Sequence, residues 1–97
     1  EQKEIPRANL RAYLGTIPDY ASEIKGLKIS GVTKGAPAAA AGLKGGDVIV
    51  RLGENKIENI YDYTFAIEAI QIGVEIDVQI IRDGKTLDLK ITPGSRD

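Results

Sequence analysis

Apolar and polar positions alternate with a period of two through the last third of the chain. In EIDVQIIR, Ile76, Val78 and Ile80 alternate with charged or polar neighbours, and in TLDLKIT, Leu87, Leu89 and Ile91 alternate with Asp88 and Lys90. Alternation of this kind marks strands that bury one face. RDGK between them predicts a hairpin turn of the Asp-Gly type. Just upstream the period changes. In IYDYTFAIEAI, residues 60–70, apolar side chains fall at 60, 63, 66, 67 and 70, with Asp62 and Glu68 on the other side. That is helical spacing, and Gly73 follows as a stop.

The first half is more broken. LKISGVT, residues 27–33, reads as a strand running into a glycine-rich turn, and DVIVRL, residues 47–52, as a β-branched buried strand. Between them lies KGAPAAAAGLKGGD. Pro37 suits the first helical position because its missing N–H would be unpaired there anyway. Gly42 supplies a left-handed cap after four alanines, and Leu43 the apolar contact that follows such caps. This predicts a short helix of about two turns. GEN, residues 53–55, is a turn into a short KIE segment. Residues 10–17 read as a strand or strand-turn-strand, and 20–26 as a loop or short helical turn. Residues 1–9 read as a linker or arm, and 93–97 as a polar tail. The sum is a single α+β domain, mostly β, of five or six short strands and two helices. A partly open sandwich or barrel suits it.

Composition narrows the chemistry. The chain of 97 residues has no cysteine and no histidine. That removes a thiol nucleophile, a thiolate metal site, the commonest zinc ligand and the commonest general base near neutral pH. No Ser-His-Asp or Cys-His constellation can be assembled from it. Asp47, Asp77 and Asp88 show no clustering that suggests a metal, so no cofactor is expected. Thirteen basic residues stand against fourteen acidic ones, with no long block of like charge, so no nucleic-acid or membrane-surface footprint appears. No apolar run approaches the length of a membrane span. The opening EQKEIPR looks like the middle of a longer protein.

Three stretches carry a resemblance. They are YLGT at residues 13–16, GAPAAAAGLKGGDVIV at 35–50, and the helix at 60–70 followed by GVEIDVQIIRDGKTLDLKI. Together they resemble a PDZ domain over roughly residues 10–92. The middle stretch is the most specific: Gly35, Pro37, Ala38, Ala41, Gly42, Leu43, Gly46, Asp47 and Ile49 match the family pattern in order and spacing. The element order resembles the circularly permuted PDZ modules of bacterial proteases. YLGTIPD, GLKISGV, GLKGGDVIV and NIYDYTFA are closest to the C-terminal PDZ module of secreted di-zinc aminopeptidases. The modules of HtrA-type serine proteases come next.

The resemblance implies peptide binding by strand addition between a sheet edge and the second helix. The carboxylate of a bound chain end would rest on the backbone N–H groups of Leu14, Gly15 and Thr16. Gly15 allows the turn, and Tyr13 and Ile17 flank it. Arg11, or else Arg7, would add charge through a water. The pocket for the last side chain would be lined by Leu14, Ala66 and Ile70, with Ala69 or Ile67 nearby according to helix phase. An apolar last residue is therefore expected. Asp62 or Tyr63 would face the third residue from the end, and a one-residue change of phase exchanges them. Pro18 departs from the family pattern. Thr16 and Pro18 direct their backbone to one edge, and Pro18 has no N–H to offer. Either the groove takes only the last two or so residues, or Pro18 blunts the edge against unwanted pairing.

Three functions fit the sequence. The first is a non-catalytic docking or regulatory module of an extracytoplasmic bacterial peptidase, periplasmic or secreted, monomeric in isolation. It would bind apolar peptide or protein C-termini at micromolar affinity or weaker, about −8 kcal/mol at most, and work beside its own protease domain. A variant of that reading is the substrate-sensing module of an HtrA-type serine protease. The second is a structural module whose groove is filled by residues 1–9 or by the neighbouring protease domain. The third, an enzyme in its own right, is disfavoured by the missing His and Cys.

Overall fold

The computed structural model describes residues 12–19 and 25–95. The bend predicted near the front divides two short strands, β1 (Ala12–Tyr13) and β2 (Thr16–Pro18). Then follow β3 (Leu27–Val32), helix α1 (Pro37–Ala41), β4 (Val48–Leu52), β5 (Asn55–Lys56), helix α2 (Ile60–Ala69), β6 (Ile76–Arg82), β7 (Lys85–Ile91) and β8 (Gly94–Ser95). The main sheet is antiparallel in the order β2-β3-β4-β6-β7, with β5 pairing on β4. It is open, and β2 lies at one edge. β1 and β8 form a separate two-stranded ribbon. The expected arm at residues 1–9 and the loop at 20–24 lie outside the described residues. The stretch read as a polar tail contributes more than that: Pro93 is buried and Gly94 pairs with Tyr13.

The alternation in β6 and β7 is realised as one buried face. Val78, Ile80 and Ile91 join Leu27, Ile29, Ile49 and Leu52 in a single cluster, which α2 covers with Tyr63 and Ala66 and α1 with Ala38. The turn between β6 and β7 carries Asp83 at φ 53°, the left-handed region an Asp-Gly turn demands. Helix α1 runs for a single turn and a half rather than two. It begins with Pro37 at its first position and ends at Gly42, φ 98°. The N–H groups of Gly42 and Leu43 then donate to Ala39 and Ala38 carbonyls at 3.1 and 3.0 Å, closing the helix end.

Asp47, only 1% exposed, holds the loop after α1. Arg82, the last residue of β6, donates to it through Nε (2.8 Å to Oδ1) and Nη2 (2.7 Å to Oδ2). The Lys44 N–H donates to Oδ2 at 2.8 Å, and Arg82 Nη2 also reaches the Gly42 carbonyl at 2.8 Å. Burial alone would raise the Asp47 carboxyl. The Arg82 hydrogen bonds, the Lys44 N–H and the Arg82 charge outweigh it and hold the carboxyl below its usual range. The GLKGGD run thus has a physical role: glycines for the turns and a carboxylate to receive a forked guanidinium.

Helix α2 starts at an unforeseen cap. Asn59 Oδ1 accepts from the Asp62 N–H at 2.9 Å, and Asp62 Oδ2 accepts from the Glu58 N–H at 3.0 Å. The pair satisfies donors on both sides of the helix start.

Candidate functional site

The bend at Tyr13–Thr16 is held by its carbonyls. The Leu14 carbonyl accepts from the Ala38 N–H of α1 at 2.8 Å, and the Gly15 carbonyl from the Thr33 N–H beyond β3 at 2.8 Å. In a trans peptide the N–H points opposite to the carbonyl of the same plane. The Gly15 N–H therefore points away from α1, and the Thr16 N–H away from β3, toward the free edge of the sheet. No acceptor among the described residues pairs with the N–H of Leu14 or Gly15. Gly15 sits at φ 80°, and a Cβ there would lie 2.2 Å from Ala36 Cβ. Both backbone conformation and space require glycine.

Beyond the bend, β2 pairs with β3 as Thr16↔Val32, Ile17↔Gly31 and Pro18↔Ile29, with a bulge between the last two. The Gly15 carbonyl bonds to Thr33 and the Asp19 N–H donates to the Lys28 carbonyl at 2.9 Å. The Gly15 carbonyl and the Asp19 N–H thus point at β3. By alternation Thr16 and Pro18 aim their backbone groups at the open edge. This is the arrangement read from the sequence: one edge donor at Thr16 and none at Pro18.

Alongside this edge runs a cleft of about 230 Å³ between β2 and α2. Its walls are the Ala12–Thr16 segment with Pro18 on one side, and Ile60, Tyr63, Thr64 and Ile67 of α2 on the other. Tyr63 is almost fully buried, and its hydroxyl lies 2.6 Å from Thr16 Oγ1. That bond joins the two walls directly. Burial, partly offset by the Thr16 hydroxyl, pushes the Tyr63 phenol up to about 12. It therefore stays protonated and able to donate throughout the physiological range.

Of the residues singled out in the sequence, the structure gathers Tyr13, Leu14, Gly15, Thr16 and Tyr63 around the cleft. It places four other residues elsewhere. Ala66 is fully buried and packs inward, and Ile70 packs against the core after the last helical turn. Asp62 is held in the helix-start hydrogen bonds, so of the pair Asp62 and Tyr63 it is Tyr63 that faces the cleft. The Ile17 side chain is 46% exposed and is not a wall of the cleft. Arg11 lies outside the described residues. The expected phase of α2 is thus turned. Successive residues are 100° apart, and the cleft stripe is 60, 63, 64 and 67, while 63, 66 and 70 face the core. Ile60 and Thr64 escaped the sequence reading. Their signal was present, since a stripe at i, i+4 and i+7 from Ile60 contains them, but two overlapping stripes shared one apolar pattern.

Among the described residues no group of His, Cys, Asp or Glu is arranged to hold a metal ion, and no helix is long and apolar enough to cross a membrane.

Comparison with known proteins agrees with this geometry. The sequence pattern of the PDZ domain matches residues 8–92. A probable periplasmic serine endoprotease, DegP-like, from Chlamydia trachomatis serovar D is 33% identical over 70 residues, covering 72% of this chain and 14% of that protein. Among solved structures, the HtrA-type protease AlgW with decapeptide superposes with a TM-score of 0.81 at 23% identity, over 91% of this chain and 30% of that one. An aminopeptidase N family protein from Idiomarina loihiensis superposes with a TM-score of 0.77 at 20% identity, over 89% of this chain and 14% of that one. The chain thus spans a small part of each protein it resembles.

Proposed function

The chain belongs to the PDZ family, and on that premise we propose that it is a non-catalytic module that captures the C-terminal end of a peptide or protein in the β2–α2 cleft. The observation that carries this reading is the bend. The Leu14 and Gly15 N–H groups have no acceptor among the described residues, and the carbonyl bonding that fixes the bend turns the Gly15 and Thr16 N–H groups outward. Successive backbone donors of this kind suit an anion, and a terminal carboxylate is the anion that a sheet edge can present to them. Charge-assisted hydrogen bonds contribute roughly 1.5–3 kcal/mol each. The side chain next to the carboxylate would meet Ile60 and Ile67, which favours a chain end with apolar surface.

The parent protein in this reading is a bacterial peptidase, with the module docking chain ends or regulating access to the catalytic domain. The relatives support it: they are proteases, one is named periplasmic, and one structure contains a decapeptide. A periplasmic or secreted location follows from the same likeness. The aminopeptidase resemblance makes a zinc peptidase the preferred parent, with an HtrA-type serine protease as the alternative.

The experiment is calorimetric titration of the isolated domain with an apolar-ended peptide as free acid and as C-terminal amide. The acid should bind at micromolar affinity or weaker, and amidation should remove most of that binding. Equal binding of the two forms would exclude the carboxylate role of the bend. Failure of both to bind would favour the structural-module reading.

A further inference from the structure

The hydroxyl bond between Thr16 and Tyr63 is unusual in its position, because it spans the cleft that a ligand would enter. Thr16 is the residue whose N–H faces the open edge, and Tyr63 stands on the opposite wall, with its oxygen 2.6 Å away. Both side chains line the cleft, and the remaining walls near them are Leu14, Ile60 and Ile67. The expectation of a purely apolar pocket rested on Ala66 and Ile70, and neither lines the cleft. In their place stand the bonded Thr16 and Tyr63 hydroxyls, with Tyr13 and Thr64 also on the walls and the Thr64 hydroxyl donating back to the Ile60 carbonyl at 3.0 Å.

We propose that the Thr16–Tyr63 hydroxyl pair determines which last residue the cleft accepts, selecting a side chain that carries both a methyl group and a hydroxyl, such as threonine, over its apolar isostere valine. The proposal rests on the chain-end reading above. A carboxylate held at the Leu14–Thr16 bend brings the last side chain beside the residue that supplies the final donor, Thr16. Seated between Thr16 and Tyr63, that side chain would enter where the two hydroxyls now bond. An apolar side chain separates the two hydroxyls and leaves the buried Tyr63 oxygen without a partner. A hydroxyl side chain replaces the bond, because it can accept from one hydroxyl and donate to the other while its methyl group meets Ile60 or Ile67. Two facts favour exchange over mere displacement. The Tyr63 ring is buried among core side chains while its hydroxyl bond to Thr16 is part-buried at the cleft wall, so a ligand side chain seated over the pair would itself shut out the water that could replace Thr16. A buried hydroxyl left unpaired is also penalised more than a hydrogen bond gained is rewarded. The Tyr63 phenol remains protonated, so the preference should be independent of pH across the neutral range.

The test uses one peptide of fixed sequence ending in Thr or in Val, with wild type, Tyr63→Phe, Thr16→Val and the double variant, read by calorimetry and by amide shift changes. Each substitution removes one hydroxyl, and Thr16→Val keeps a β-branched residue in the strand. Wild type should bind the Thr-ended peptide about fivefold or more tightly than the Val-ended one, from the penalty for an unpaired buried hydroxyl. The ratio should shrink in each single variant and fall to within about twofold in the double variant, chiefly because the Val-ended peptide now binds better. Equal affinities in wild type would overturn the proposal while leaving chain-end capture intact. A Thr preference that survives in the double variant would overturn it too, since the discrimination would then lie elsewhere. Absence of binding by either peptide to any variant would overturn both this proposal and the chain-end reading.

Discussion

Replacing Gly15 by alanine separates two costs that the structure predicts to act together. The first is conformational. Gly15 lies at φ 80°, where an L side chain costs roughly 1–2 kcal/mol. The second is steric. The new Cβ would fall 2.2 Å from Ala36 Cβ, a methyl fixed directly to the backbone and buried, so no rotation relieves the overlap. Forcing such contacts costs about 1–3 kcal/mol. The sum is about 2–5 kcal/mol. Two controls divide it. Gly42 has φ 98° but nothing within 4 Å of its virtual Cβ, so Gly42→Ala should show the conformational cost alone, about 1–2 kcal/mol. Ala36 is the N-cap of α1 and makes no side-chain cap bond. Glycine is at least as good as alanine at that position, so Ala36→Gly should be nearly neutral. In the double variant Gly15→Ala/Ala36→Gly the methyl that collides is gone. The cycle should return a coupling of about 1–3 kcal/mol in favour of the double variant. Urea denaturation followed by circular dichroism measures all four proteins, with the slope checked for constancy. If Gly15→Ala costs no more than Gly42→Ala, or if Ala36→Gly recovers nothing, the close approach of the bend to α1 is wrong.

Three further outcomes follow from named contacts. Ala66→Arg should destabilise the domain by several kcal/mol rather than merely block the cleft, because Ala66 is fully buried and faces the core; a variant of unchanged melting temperature that has lost peptide binding would restore the other helix phase. Asp47 has a folded pKa below its unfolded value of about 3.9. Its contribution is therefore complete above that value and is lost as pH falls through it toward the folded pKa. Asp47→Asn should lower stability at neutral pH by about 2 kcal/mol and flatten the acid limb of the stability–pH curve, which denaturant titrations at several pH values will show. Pro18→Val should raise affinity for peptides of four or more residues by up to about 1 kcal/mol, the net worth of one hydrogen bond, and leave shorter ones unchanged; a peptide-length series by calorimetry checks this.

Much of the fold could be read along the chain because its strands bury one face and its turns need special residues. The period-two runs became β6 and β7, the Asp-Gly pair became their turn, and Pro37 and Gly42 bracket α1 as their backbone preferences dictate. The bend at YLG was also legible, since glycine there has a conformational reason, whereas the carbonyl bonds to Ala38 and Thr33 that hold it were not. The cleft wall on α2 was not. Ile60, Tyr63, Ala66, Ile67 and Ile70 form one broad apolar arc, and the helix divides it between the core and the cleft. Periodicity gives the arc but not the dividing line, which depends on how the helix is rolled against the sheet. The Asp47–Arg82 pair spans 35 residues and depends on a contact that no local window contains; the cap at Asn59 and Asp62 joins residues three and four apart, and its residue types stood in the local sequence unread.

The edge geometry also limits where recognition energy can arise. An extended chain laid antiparallel on β2 would meet the Thr16 N–H and carbonyl, and then only the carbonyl of Pro18, because the Gly15 carbonyl and the Asp19 N–H are engaged with β3. A ladder of that kind loses its second donor at once. Main-chain pairing, the usual source of affinity in strand addition, is thereby shortened to its first step. What remains within reach is the bend, with its outward N–H groups, and the hydroxyl pair beside it. Both lie at one end of the cleft. Binding energy drawn from so short a stretch must depend on the charge and the side chain of the last residue more than on the sequence upstream. If the cleft takes a chain end as proposed, such a domain would read that a chain ends, and how it ends, with little regard to what precedes it.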